Sequence, residues 1–172
     1  MRHSLRPRLT AITPSAAEAV QRAGGWLFDQ VMAGWDVTVV AADMGDPRAL
    51  EILGVRARPL DVICATPVLG PCLRAIAVRT DMYHADERVR RFVLTAVEAG
   101  GAEIRLWGDV WPEDFDGRAD SVSHRLSLAA RAFKAQAMAA ADLSGEPAAD
   151  TEVFRCGQLR RPRLVPATLQ NA

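Results

Sequence analysis

Three observations predict an α/β fold, a three-layer sandwich on a mostly parallel, Rossmann-like sheet of about four to five strands. Residues 34–54 read as one buried strand passing directly into a short capped helix. Apolar residues recur at helical spacing in several segments, with short β-branched runs between them. The intervening helices are long enough to serve as the crossovers that parallel pairing needs.

Taken in order, residues 1–12 are basic and contain proline, and are expected to form a flexible N-terminal arm. Ser15 and Glu18 stand at capping-box spacing and open a first helix, which runs to Ala33 with Gly34 beyond its end. Val20, Ala23, Gly24, Leu27 and Val31 fall on one face of it. Gly24 and Gly25 each cost about 1 kcal/mol relative to alanine inside a helix, so close packing against a neighbour is expected to offset them.

Val37, Val39 and Val40 mark a strand covered on both faces. Asp46 and Pro47 then start a short helix that Gly54 ends in the left-handed conformation. Arginines alternate with small residues over 55–61, where Pro59 points to an edge strand. Residues 64–72 hold too many breakers for more than a loop or a single turn. A strand over 73–79, a helix over 85–99 and a strand over 103–107 follow. The last helix is expected over 121–141, with Val122, Leu126, Ala129, Phe133, Ala137 and Ala140 on one stripe.

The chain of 172 residues is 49% hydrophobic, enough for one core, so a single domain is expected over 13–143. Residues 144–172, rich in proline and small side chains, are expected as a partly ordered tail in which 153–156 can pair as a strand. The 21 basic and 21 acidic side chains cancel, which argues against nucleic-acid binding through the arginine-rich ends. Lys134 is the only lysine. Three cysteines without a Cys-x-x-Cys pair suggest neither a zinc site nor a disulfide framework, and no apolar run approaches the roughly 20 residues that span a bilayer. A cytoplasmic protein is expected.

No nucleotide-binding, nucleophile-elbow or metalloprotease motif occurs, which lowers the expectation of an enzyme without excluding one and leaves any cofactor unassigned. Ligands of such folds bind beyond the carboxyl ends of the strands, which makes Asp43, Asp46, Asp81, His84 and Asp109 the candidate ligand-binding residues. The leading expectation is a non-catalytic module binding a small ligand or a protein partner. Its first alternative is a metal-assisted phosphoryl-chemistry enzyme, in which Asp43, Asp81 and Asp109 converge on Mg²⁺. An apolar arc through Trp26, Phe28 and Met32, wider than one sheet face covers, further suggests a homodimer through the first helix.

Overall fold

The computed structural model describes residues 6–65, 72–115 and 120–158. In chain order the elements are β1 (Arg8–Ser15), α1 (Ala16–Met32), β2 (Asp36–Asp43), α2 (Arg48–Ile52), β3 (Arg56–Pro59), α3 (Val62–Ala65), β4 (Leu73–Arg79), α4 (Thr80–Ala85), α5 (Glu87–Glu98), β5 (Glu103–Trp107), β6 (Asp120–Arg125), α6 (Leu128–Ala140) and β7 (Thr151–Cys156). The strands form one mostly parallel sheet in the order β3-β2-β1-β4-β5-β7-β6, seven strands where four to five were expected. Five pair in parallel, and β7 and β6 extend the β5 edge antiparallel.

Alternation along the strands divides the core in two. Leu9, Ala11, Val37, Val39, Ala75 and Ala77 face α1, α2 and α6. Ile12, Val40, Ile76 and Val78 face α4 and α5 on the other side.

The expected arm over residues 1–12 is corrected: from Arg8 onward it is β1, at the centre of the sheet. Leu9, Thr10, Ala11, Ile12 and Thr13 are all buried, and β1 pairs with both β2 and β4. Its run of apolar and β-branched residues is short and adjoins a basic, proline-containing stretch; two flanking strands make it a strand. The helix expected over 121–141 is likewise corrected. Residues 120–125 are β6, paired throughout with β7, and α6 begins only after Ser127, whose hydroxyl accepts the Ala130 N–H. Burial in α6 falls on Ala137 of the expected stripe and on Ala130, Lys134 and Met138, each one position beyond a stripe residue. The tail from 144 contributes β7, whose Glu152 and Phe154 lie deep in the fold.

Other local expectations hold. Ser15 Oγ accepts the Glu18 N–H, Asp46 accepts the Arg48 N–H, and Gly54 ends α2 at φ +70°. β3 is an edge strand. Residues 66–71 and the basic segment beyond 158 lie outside the described residues. Among the described residues, no helix is long and apolar enough to cross a membrane.

The close approach expected at Gly24 and Gly25 is found chiefly at Gly25, where a Cβ would run into the Leu126 side chain. Beside it lies a buried ion pair. Glu152 accepts the Gly25 N–H at 2.9 Å and the Trp26 N–H at 2.7 Å, both in the middle of α1. Lys134 Nζ donates to Glu152 at 2.6 Å and to the Gln21 carbonyl at 2.8 Å. Gln21 C=O and Gly25 N–H are the two ends of one helical i to i−4 pair, so β7 and α6 together reach into the backbone of α1. The same elements cover the flank that suggested a dimer. Trp26 packs on Phe154 under the Arg105 guanidinium, Phe28 stacks on Phe133, and only Met32 of the three stays exposed. For Trp26 and Phe28 the wide apolar arc is therefore internal packing, which removes the reason for a dimer through them.

Replacing Lys134 by Met leaves Glu152 buried and without its counter-charge, a change that typically costs about 3–5 kcal/mol. Urea unfolding is expected to show a loss of that order. In the double variant Lys134→Met/Glu152→Leu, the Gly25 N–H can return to the Gln21 carbonyl, and much of the stability is expected to come back.

Candidate active site

β1 lies between β2 and β4, and the chain leaves β1 and β4 in opposite directions across the sheet. A crevice therefore opens beyond their carboxyl ends, where α/β folds hold ligands. A cavity of about 380 Å³ lies to one side of it, at the ends of β4 and β5 and between α1 and β7, lined by Glu18, Arg22, Arg79, Trp107, Asp109 and Arg155 among others. This is the size range of small-molecule sites.

Each of its central side chains is placed by an element end. Glu18 sits in the first turn of α1 because Ser15 caps that turn, but its carboxylate does not complete a capping box. It turns into the cavity, paired with the Arg79 guanidinium and accepting the Trp107 indole N–H at 3.4 Å. Arg79 is the last residue of β4 and is held from the other side by Asp81, with Nε to Oδ2 at 3.0 Å. The bond to Glu18, opposed by burial and reinforced by Asp81, raises the Arg79 pKa further above its ordinary value. Trp107 ends β5, and Gly108 follows at φ +124°, where a Cβ would strike the buried Thr80 side chain. That glycine brings the β5 end close against the β4 end.

The sequence-predicted residues scatter around this centre. Asp109 lines the cavity, and Asp81 supports it through Arg79. Asp43 accepts the Gly45 N–H in its own turn, Asp46 caps α2, and the two border a separate hollow of about 250 Å³ beside α6. His84 is exposed, with the Tyr83 ring edge-on to it. Convergence of Asp43, Asp81 and Asp109 on Mg²⁺ is corrected. Asp43, the last residue of β2, bonds its own turn and borders the separate hollow, whereas Asp109 lines the cavity and Asp81 is paired with Arg79. Among the described residues, no three His, Cys, Asp or Glu side chains come together to hold a metal ion. Glu18, Arg79 and Trp107 escaped the sequence reading because sheet order, rather than spacing, unites them. The one local sign was an acid at the third position of a capped helix.

Two further polar clusters lie apart from the cavity. Tyr83 donates to Asp114 at 2.7 Å, and Arg90 clamps the same carboxylate. Burial and the Asp114 charge push the Tyr83 hydroxyl far above its ordinary pKa, so it serves as a fixed donor. On the far side of α1, Asp29 accepts from Ser127 Oγ at 2.6 Å and lies 2.7 Å from His124 Nε2. A serine, a histidine and an aspartate thus meet, but both partners bond the carboxylate, and the hydroxyl caps α6. The cluster fastens β6 and α6 to α1.

The fold defines the class first: an α/β protein with helices on both faces of a mostly parallel sheet and a cavity over its central strand ends. Solved chains of this shape include deacetylases and a hydratase. The chain is similar to a deacetylase of an antimicrobial pseudoaglycone, at 18% identity and TM-score 0.65, covering 91% of this chain and 99% of that one. It is similar to teicoplanin deacetylase in a zinc-inhibited form, at 14% and 0.64, covering 89% and 98%. It is also similar to the 4-carboxy-2-hydroxymuconate hydratase GalB of Pseudomonas putida, at 13% and 0.55, covering 92% and 98%. No family model and no curated protein matches the chain. These likenesses establish the fold. They also overturn the expectation of a non-catalytic binding or interaction module, since chains matching at nearly full length are enzymes. Zinc, named with one neighbour, finds no matching donor set among the described residues here.

Burial raises the Asp29 pKa, but bonds from Ser127 and His124 outweigh it and hold the carboxyl below its ordinary value of 3.8. A depressed folded-state pKa gives stability that is present above the unfolded value and lost as pH falls through the folded one. Thermal melts of wild type and Asp29→Asn are therefore expected to differ at neutral pH, and to draw together below pH 3.8.

Proposed function

We propose that the chain is an enzyme that hydrolyses an N-acyl amide, a deacetylase-type reaction, in the cavity at the ends of β4 and β5 beside α1. The observation that carries this reading is the Glu18–Arg79 pair at the crevice, with Trp107 fixing the carboxylate. The fold shared with solved deacetylases supports it.

The chemistry uses the pair as a base and a charge that separate during the reaction. Glu18 takes a proton from water as that water attacks the acyl carbon. Protonation removes the negative charge that held Arg79. The guanidinium is then available to the oxyanion forming on the acyl oxygen, in a partly enclosed site where a preorganised charge counts most. As the tetrahedral species collapses, Glu18 returns the proton to the leaving nitrogen. The C–N bond breaks, and a carboxylic acid and an amine result. Asp109, which has no basic partner among the described residues, is placed to receive the amine as it becomes an ammonium ion. No step passes through a metal, because the donor set for one is absent among the described residues. Cys72 and Cys156 are free thiols, which suits a reducing compartment such as the cytoplasm.

The test is acetate release from a panel of N-acetylated amino acids and N-acetylated hexosamines. Wild type is expected to release acetate from at least one compound. Glu18→Gln, with Arg79 still bonded to Asp81, is expected to lower kcat about 100-fold or more with a small change in KM. No release from any compound, or full activity in Glu18→Gln, would overturn the assignment.

A further inference from the structure

We infer that the substrate is an extended peptide segment carrying its N-acyl group on a side chain, and that it pairs in the cavity with the free edge of β7 at Thr151 and Val153. This rests on the assignment of the cavity as the active site and names the class of molecule it takes. In an antiparallel ladder, successive residues of a strand turn their N–H and C=O groups to opposite neighbours. Leu126 donates to the Asp150 carbonyl at 3.0 Å, one step beyond the β6–β7 pairs and in the same register, so the even-numbered residues of β7 bond β6. The odd-numbered ones face β5. Gly157, just past the end of β7, accordingly donates to the Ile104 carbonyl at 3.2 Å.

β5 answers only part of that edge. Its pairing with β7 covers Arg105 and Leu106, opposite Cys156 and Arg155. In the same register Gly108 would stand opposite Val153, and Val110 opposite Thr151. Instead the chain turns at Gly108, with φ +124°, and lies close against Thr80 on the β4 side. The N–H and C=O groups of Val153 and Thr151 are left without a strand partner, and among the described residues no other group bonds them. The space vacated is the cavity. Thr151, Glu152, Val153, Phe154 and Arg155 all line it although successive side chains of a strand point to opposite faces, so β7 meets the cavity with its backbone edge. Such an edge takes an added strand, whose main-chain bonds supply affinity. Val153 and Thr151 present donor and acceptor at a repeat of about 7 Å, which an extended peptide matches at alternate residues and a single sugar ring or amino acid meets only once. A ligand residue opposite Val153 shares its face of the sheet, away from α1. The next ligand residue therefore turns its side chain to the face of Glu152 and Phe154, where α1 lies and where Glu18 meets Trp107. An acylated amine on that side chain faces the Glu18–Arg79 pair.

Binding tests this without requiring turnover. The probes are a blocked tripeptide, alanine, Nε-acetyl-lysine and alanine in that order, and the same peptide N-methylated at its backbone amides. The two alanines fit opposite Val153 and Thr151, with the acetylated side chain between them turned to α1. In calorimetric titration of the wild-type chain, N-methylation is expected to weaken binding about ten-fold or more, because the donors to the β7 carbonyls are gone. Val153→Pro removes a free N–H and none of the β6–β7 bonds. It is expected to weaken binding of the unmethylated peptide about five-fold or more, with a thermal melt confirming the fold. Where that variant does not fold, the peptide pair on the wild type decides alone. Equal binding of the two peptides, no detectable binding of the unmethylated one at millimolar concentration, or undiminished binding in a folded Val153→Pro would overturn the inference. Acetate release measured on the same peptides separates it from the reading it rests on. Equal release from both would refute the edge pairing and keep the hydrolase. Selective binding without release from these or any other N-acetylated compound would refute the hydrolase and keep the edge pairing.

Discussion

The Lys134–Glu152 pair is the interaction on which the rest of this structure depends. Burying two charges costs several kcal/mol per ion unless every remaining donor and acceptor is matched. Here the matching is supplied by the backbone of α1, through the Gln21 carbonyl and the amides of Gly25 and Trp26. One contact therefore joins three elements distant in sequence. It ties α6 and β7 to the middle of α1, one to two turns beyond Glu18. It also fixes the β7 wall of the cavity relative to Glu18. The only lysine of an arginine-rich chain stands at this point. A compact ammonium on a flexible stem threads to a single carbonyl where a broad guanidinium fork would need more room.

What was legible in the sequence was local. The Asp46–Pro47 start, the Gly54 end and the Ser15 cap are each decided within one turn of chain, and each appears where its residues predict. β2, β4, β5 and α5 carry strong patterns and were read correctly. β1 was missed because its strand character comes from its neighbours: threonine and alanine lie between β2 and β4 and are buried by them. β6 was misread as helix because Val122 and Leu126, four apart, fit both a helical face and one face of a strand. Only pairing with β7 decides between the two.

The site was legible to a smaller extent for the same reason. Aspartates at strand ends were visible, yet Asp43 and Asp46 are engaged by nearby backbone amides, the ordinary use of that residue in turns. Asp109 and Asp81 were the two that sheet order brought to the cavity or beside it. Glu18, Arg79 and Trp107 come from the ends of α1, β4 and β5 and meet only when the order β1-β4-β5 is known. The wide apolar arc of α1 was correctly seen, but its cause was internal, because the β7 and α6 that cover Trp26 and Phe28 lie more than 100 residues further along the chain. Charge balance shows the same limit. Summed over the chain it is zero, while at the cavity four basic side chains meet three acidic ones.

In the proposed hydrolysis, catalysis at the strand ends runs on the Glu18–Arg79 pair, without a resident metal. The most direct measurement is the metal content of the purified chain, together with its acetate-releasing activity after exhaustive chelation. Well under one metal ion per chain and a rate unchanged by chelation are expected. A stoichiometric ion whose removal abolishes activity and whose return restores it would contradict metal-free hydrolysis by this pair.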